Sequence, residues 1–238
     1  MHGARRTYLT VCFAILISAC GGGNGYTPMQ SAGNYNLQAG IAEMVTDGLS
    51  ANVALSGTVT TNGVSTAFTG TGTFTRPPGV AATFNGTAAM SQNTTVSGSI
   101  MAAGQTAPYS TSVTDFYASS DGALLGEVSA SEYDVAQAPI SFPTMIVGGS
   151  SGTLGMLTRY TDSTMSVSLG TVQVSYSTRT PIDSGSPIGV VVTTQIFDTQ
   201  NTLIETDVTT YAMTSSSVIS LASGSAQNQS GMLTITVQ

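Results

Sequence analysis

Residues 53–74 read VALSGTVTTNGVSTAFTGTGTF, and this stretch carries the clearest folding signal in the chain. Val53 and Leu55 occupy alternate positions, as expected for a strand with one buried face. The dipeptide Asn62-Gly63 follows, and it is strongly favoured in two-residue turns between antiparallel strands. The remaining residues, up to Phe74, form the returning strand. The sequence therefore predicts a β-hairpin here.

The same alternation continues beyond this hairpin. Pro77-Pro78-Gly79 ends the returning strand, because proline cannot donate a hydrogen bond to a sheet. Only 7% of the residues are charged, which argues against a charged disordered chain or a coiled coil. We expect an all-β fold, an antiparallel meander that forms a barrel, a half-barrel or a sandwich, with at most one short N-terminal helix. Asp121-Gly122 is a second predicted hairpin turn. Further strands are predicted over 81–90, 94–101, 109–117, 124–135, 154–160, 165–176, 188–197, 203–213, 218–221 and 232–237.

One strand changes face along its length. Apolar residues occupy odd positions up to Leu169 and even positions from Val172, so the pattern reverses at Gly170. A β-bulge or a tight bend at this glycine would produce the reversal.

The single predicted helix precedes the hairpin. Leu37, Ile41 and Met44 recur at helical spacing, and Asn36 and Gly48 are suited to begin and end the helix. We expect this helix to plug one end of the β structure. The alternatives are a lid over a cavity or a helix that lies on a membrane.

The chain contains similar segments at a spacing of about 76 to 80 residues, as an internal repeat would. Gly155-Met156-Leu157-Thr158, for example, returns as Gly231-Met232-Leu233-Thr234. One hypothesis is a duplicated four-strand unit, with copies at about 80–157 and 158–238. The other is chance similarity in a chain rich in Ser, Thr and Gly.

The N-terminus has the layout of a secretory signal. Arg5 and Arg6 precede an apolar run from Tyr8 to Ala19, which is shorter than the roughly 20 residues a membrane-spanning helix needs. Small residues end the run, immediately before Cys20. Residues 1–19 are therefore predicted to be a cleaved signal peptide.

The stretch Ile17-Ser18-Ala19-Cys20 resembles the lipobox of bacterial lipoproteins, with Ile in place of the commoner Leu. This resemblance covers about twenty residues and implies lipidation of Cys20, cleavage before it and acylation of the new amino terminus. Several acyl chains hold a protein on a membrane almost permanently. The predicted partner is therefore the membrane, through lipidated Cys20. An ordinary signal with an incidental cysteine is the alternative.

The residues after the cysteine predict a tether. Segment 20–33 is rich in Gly, Ser and Asn, a composition typical of flexible linkers. Residues 34–238 are then expected to form one all-β domain. Gly21 stands where lipoproteins kept at the inner membrane tend to carry Asp, so the resemblance implies the outer membrane.

Composition excludes several functions. The mature chain would have three arginines, no lysine and twelve acidic residues, a formal net charge of −9 that disfavours nucleic acid. It would also lack histidine and a free thiol, which excludes Ser-His-Asp and Cys-His chemistry and ordinary zinc, copper or iron sites. We expect no enzyme activity and no cofactor.

Two acidic pairs are the remaining candidates for chemistry. Glu132 and Asp134 lie two residues apart, as do Glu205 and Asp207, so each pair projects from one face of a strand. Such pairs could bind calcium, or act as acid and base in a hydrolase. The simpler interpretation is a solvated strand face, with the neighbouring Ile204 turned to the core.

Aromatic residues could line a sugar or lipid pocket, although packing in the core or between strands is their commoner role. They are Tyr109, Phe116, Tyr117, Tyr133, Tyr160, Tyr176, Phe197 and Tyr211.

The sequence contains no residue set that defines a reaction. The first hypothesis is a lipid-anchored, non-enzymatic binding or structural module of the bacterial envelope, whose protein, glycan or lipid ligand is unknown. The second is a carrier that holds an apolar ligand in a half-barrel, as half-barrel lipoprotein carriers do. The third is a hydrolase that uses carboxylates alone. A continuous apolar cavity would favour the carrier, and a filled core would favour the module.

Overall fold

The computed structural model describes residues 34–179 and 186–238. The predicted signal peptide, the tether and Cys20 lie outside the described residues. One helix, α1 (Leu37–Asp47), precedes the strands. The strands are β1 (Leu49–Thr61), β2 (Val64–Arg76), β3 (Val80–Phe84), β4 (Thr87–Ala102), β5 (Gln105–Ala118), β6 (Leu124–Val128), β7 (Tyr133–Ile140), β8 (Ser151–Tyr160), β9 (Ser168–Arg179), β10 (Ile188–Phe197), β11 (Leu203–Met213), β12 (Ile219–Asn228) and β13 (Gly231–Val237).

The sheet closes into a 12-strand antiparallel barrel, one of the three architectures that the sequence left open. Neighbours in sequence pair from β4 through to β13, β13 pairs with β1, and β1 pairs with β2. Closure comes from β2, which pairs with the second half of β4. The short strand β3 pairs with the first half of β4 and lies outside the ring.

Several predicted strand boundaries were wrong. The stretch predicted as one strand over 81–90 contains a turn at Asn85-Gly86, where both residues have positive φ, so β3 ends and β4 begins there. The stretch 124–135 is likewise two strands, because Ser129 N–H donates to the Glu132 carbonyl and turns the chain. Strand β9 begins at residue 168 rather than at 165.

Other local predictions were confirmed. The hairpin at Asn62-Gly63 joins β1 to β2 in continuous register. The reversal at Gly170 coincides with a register shift opposite β8, and this glycine has a φ of 126°. A Cβ there would meet the Phe197 carbonyl oxygen, so glycine is required on steric grounds as well.

The core lies inside the barrel. Alternate residues of β1 such as Val53 and Leu55 are buried, and they pair with β13, whose Ile235 is also buried. In β2 the alternate residues Phe68 and Phe74 are buried, while the intervening positions include Thr69 and Thr71, which are exposed. This alternation places an apolar face inside the barrel and a hydroxyl-rich face outside.

Helix α1 plugs one end of the barrel, as predicted. Asn36 Oδ1 accepts from the Ala39 N–H at its start, and Gly48 ends it with a φ of 78°. Gly40 lies against β12, where an added Cβ would be 2.8 Å from the Ile219 side chain. The glycine that weakens helix propensity therefore permits the close packing of helix and barrel. Within residues 34–179 and 186–238, no helix has the length and apolar character to cross a membrane.

Candidate functional site

A row of polar residues crosses five neighbouring strands on one face of the sheet. Gln92 in β4 is paired with Asp115 in β5, which is paired with Glu127 in β6. Glu127 is paired with Asp134 in β7, and Asp134 with Arg159 in β8. Directly paired residues project from the same face of an antiparallel sheet. Asp115 and Glu127 line an interior cavity, so the row faces the lumen of the barrel.

Arg76 is the centre of the first part of this lumen network. It is the last residue of β2 and only 6% of it is exposed. Its guanidinium forms a buried ion pair with Asp115 and also donates to the Tyr117 hydroxyl. Its Nε donates to Gln92 Oε1 at 2.7 Å, and the amide of Gln92 in turn donates to the Met44 carbonyl of α1 at 2.8 Å. The network therefore connects three strands to the helix.

Glu127 adds a second carboxyl group beside this single arginine. Burial raises the pKa of Glu127 well above its ordinary value, and the charges of Asp115 and Asp134 on either side raise it further. Glu127 also shares a hydrogen bond with Asp115, which favours the protonated form. The arrangement is therefore one guanidinium beside two carboxyl groups, and its surroundings favour the protonated form of Glu127.

Arg159 is the centre of the second part of the network. Its Nε and one terminal nitrogen donate to the two oxygens of Glu132, at 3.1 and 2.6 Å. Asp134 is only 7% exposed, and its Oδ1 has no hydrogen-bond partner among the described residues. Burial raises the pKa of Asp134 to about 7, with the nearby Glu132 contributing to the rise and Arg159 opposing it.

The second acidic pair also faces the lumen, which corrects the prediction of a solvated strand face. Asp207 is fully buried and is paired with Thr194, a residue that lines the cavity. Glu205 Oε2 accepts from the side-chain amide of Asn228 at 3.0 Å, and burial raises the pKa of Glu205. Ile204, expected in the core, is partly buried and packs against the main core cluster. The prediction was therefore wrong for the acidic pair, since Asp207 is enclosed rather than solvated.

A small cavity lies between α1 and the first network. Its volume is about 110 Å³, whereas pockets for drug-sized ligands occupy roughly 300 to 1,000 Å³. A buried water takes about 10 to 15 Å³ on this measure, so the cavity has room for several waters or one small molecule. Its polar lining includes Arg76, Thr94, Asp115, Tyr117, Glu127 and Tyr211, and its apolar lining includes Ile41, Met44, Phe74, Leu124 and Phe142.

The geometry gives no support to calcium at the four predicted acids. The Glu132 carboxylate is occupied by the guanidinium of Arg159. Across the part of the chain that the structure describes, no three or more His, Cys, Asp or Glu side chains are grouped so as to hold a metal ion.

The predicted aromatic pocket is found only in part. Of the eight aromatic residues, Tyr117 and Tyr211 line the cavity. Phe116 and Tyr133 instead stack on Phe84, in a smaller cluster separate from the main core. The ring centroid of Phe84 is 4.6 Å from that of Phe116 and 5.2 Å from that of Tyr133.

Sequence reasoning missed Arg76, Asp115 and Glu127 as site residues. A signal was present for Asp115, because it follows Val113 and precedes Tyr117 at the alternate positions that face the core. An acid at an apolar position of a strand indicates a buried partner, and that partner is Arg76.

No family model matches the chain, and no curated protein matches it. A solved domain from Vibrio parahaemolyticus, named for outer membrane lipoprotein sorting, aligns at 10% identity and a TM-score of 0.28, covering 85% of this chain and 90% of that one. A DUF1329 family protein from Desulfovibrio piger aligns at 7% identity and a TM-score of 0.25, covering 86% and 92%. At these scores neither likeness establishes a shared fold.

Proposed function

We propose that this protein is a lipid-anchored, non-enzymatic binding module of the bacterial cell envelope, with its barrel held off the outer membrane by the segment 20–33. The observation that carries the proposal is the content of the barrel. The lumen is occupied by α1, an apolar core and a charged network, and the cavity between them is about 110 Å³.

The content of the lumen argues against a lipid carrier. A carrier needs a continuous apolar cavity large enough for an acyl chain, and this cavity is small and has Arg76, Asp115 and Glu127 in its wall. An acyl chain gains free energy when its CH₂ groups move from water into apolar surroundings. Charged groups in the cavity wall reduce this gain, because burying a charge without a polar partner is unfavourable. The closed ring of strands also differs from the half-barrel that the carrier hypothesis assumed.

The residue types argue against an enzyme. Beyond Cys20 the sequence has no histidine, lysine or cysteine, so a reaction would depend on carboxyl groups. Asp115 is paired with Arg76 and Glu132 with Arg159, so these two carboxylates are held in ion pairs and are not free to act as acid and base.

The anchor is supported by the lipobox-like stretch Ile17-Ser18-Ala19-Cys20 and is tested by metabolic labelling with radioactive palmitate. The wild-type protein should incorporate label and fractionate with outer membranes on a density gradient. Cys20→Ser should lose the label, whereas Cys12→Ser, in the predicted signal peptide, should keep it. Unlabelled wild-type protein, or a labelled Cys20→Ser variant, would contradict the anchor.

A further inference from the structure

We infer that the lumen cavity beneath α1 is a binding site for a small aliphatic amine in its ammonium form, with the Asp115–Glu127 pair as the receptor for the charge. This inference rests on the proposed binding function and names a ligand class for it. The charges, the volume and the apolar lining of the cavity all fit such a ligand.

The charges of the wall favour a single positive ligand. Asp115 and Glu127 are two carboxyl groups beside one guanidinium, that of Arg76. If both carboxyls are ionised, the wall carries one negative charge in excess, and a monovalent cation makes it neutral. Buried charge is tolerated only when it is paired in this way.

An anionic ligand is disfavoured because the guanidinium in the wall is already engaged. Arg76 donates to Gln92, Asp115 and Tyr117, and a second carboxyl group lies next to Asp115. A metal ion is disfavoured because the described residues supply no group of three suitable ligands.

The rest of the wall suits a short alkyl chain. Ile41 and Met44 of α1, with Leu124 of β6, line the cavity on its apolar side. The volume of about 110 Å³ restricts the ligand to a few heavy atoms. Thr94 also lines the cavity, and its hydroxyl is buried without a hydrogen-bond partner in the described part of the chain. This hydroxyl can accept a hydrogen bond from an ammonium group.

Binding of the amine is coupled to release of a proton from Glu127. Burial favours the protonated form of Glu127, and the arriving ammonium group stabilises the ionised form, so binding of the ammonium group displaces the proton of Glu127 to solvent. No covalent bond forms or breaks other than the O–H bond of this acid. The apparent affinity should therefore rise with pH, because ligand binding and proton binding at Glu127 compete.

The test uses three probes of matched size, namely propylammonium, propan-1-ol and propionate. The mature lipidated chain, in a nonionic detergent, is labelled with ¹³C at its methionine methyl groups and titrated by NMR. Met44 lines the cavity and reports on it, whereas Met101 and Met156 are exposed and serve as internal controls. Propylammonium should shift the Met44 signal in a saturable manner, and the other two probes should leave it unchanged.

The matched variants are Glu127→Gln and Glu205→Gln. A glutamine side chain imitates the protonated acid but cannot ionise, so Glu127→Gln should weaken propylammonium binding at least tenfold and abolish its pH dependence. Glu205→Gln removes a lumen carboxyl that does not line the cavity and should bind as wild type. Unshifted Met101 and Met156 signals in the ligand-free variants confirm that the fold is kept.

A saturable response to propionate or propan-1-ol, equal binding by Glu127→Gln, or no response to propylammonium would each overturn this inference. None of these results bears on palmitate labelling of Cys20 or on lipid in the lumen, so failure of the amine site is distinguishable from failure of the proposed function.

Discussion

Arg159 is paired with Asp134 in the register of β7 and β8, yet its guanidinium binds Glu132 and leaves Asp134 without a hydrogen bond at Oδ1 among the described residues. The barrel therefore encloses the carboxyl group of Asp134, while the arginine opposite it forms its ion pair with Glu132. The other neighbour of Asp134 across the sheet, Glu127, is also acidic. This arrangement stabilises the protonated form of Asp134 and makes the fold sensitive to rising pH.

The first prediction concerns stability and pH. The pKa of Asp134 is about 7 in the folded chain and about 3.9 in an unfolded one. Between these values the folded state retains a proton that the unfolded state has lost, so stability falls as pH rises from about 4 to about 7 and this contribution levels off above 7. One such group gives a slope of up to about 1.4 kcal/mol per pH unit. Asp134→Asn should flatten the slope in urea unfolding measured between pH 5 and pH 7.

Asp47, which is exposed at the end of α1, provides the control for this prediction. Asp47→Asn should leave the slope of stability against pH as it is in wild type. An Asp134→Asn variant with the wild-type slope would show that Asp134 ionises in the folded chain at its ordinary pKa.

The second prediction concerns the buried ion pair. Arg76→Met removes the cation and leaves Asp115 buried without it, which should lower the free energy of unfolding by about 3 to 5 kcal/mol. Adding Asp115→Leu removes the unpaired carboxylate and should restore much of the lost free energy of unfolding. Arg179→Met, at an exposed arginine, should change stability by less than about 0.5 kcal/mol. Denaturant unfolding of the wild type and these variants measures the differences, and additive effects at Arg76 and Asp115 would contradict the pairing.

The third prediction concerns the helix plug. Alanine forms helix better than glycine by about 1 kcal/mol, so propensity alone predicts that Gly40→Ala stabilises the protein. The structure predicts the opposite, because the added methyl group would lie 2.8 Å from both the Ile219 side chain and the Ser217 carbonyl oxygen. Overpacking of this kind destabilises by about 1 to 3 kcal/mol. A higher melting temperature for Gly40→Ala would show that α1 is not packed against β12.

The fourth prediction concerns the link between the plug and the lumen. Gln92 is buried, and its side-chain amide donates to the carbonyls of Met44 and Pro77 while accepting from Arg76. Gln92→Leu leaves these groups without that partner, so α1 should open more readily and its amide hydrogens should exchange faster. Asn93→Leu, at the next and exposed position, is the control. Equal exchange rates in α1 for the two variants would contradict the link.

The sequence predicted the fold class because the relevant signals are local. The turn at Asn62-Gly63, the reversal at Gly170 and the helix ended by Gly48 each depend on a few neighbouring residues. Closure of the barrel was not predictable, since it depends on the pairing of β2 with β4 after the chain has made a further hairpin. Nothing in the alternation of β2 distinguishes a closed ring from an open sheet.

The site was less predictable because its contacts are distant in sequence and because it inverts the usual pattern. Alternation identifies two different faces of a strand, and apolar residues normally mark the inner one. In β11 the inner face carries Glu205 and Asp207, whose burial depends on hydrogen bonds and charges from other strands. Arg76 and Asp115 are separated by 39 residues, so no local motif indicates their pairing.

The most direct test of the proposed function is native mass spectrometry of the mature protein extracted from membranes, with detergent removed by collisional activation. We expect the mass of residues 20–238 plus covalently attached acyl groups on Cys20, and no lipid held non-covalently in the barrel. An unmodified N-terminus, or one lipid of defined mass retained per chain, would contradict it.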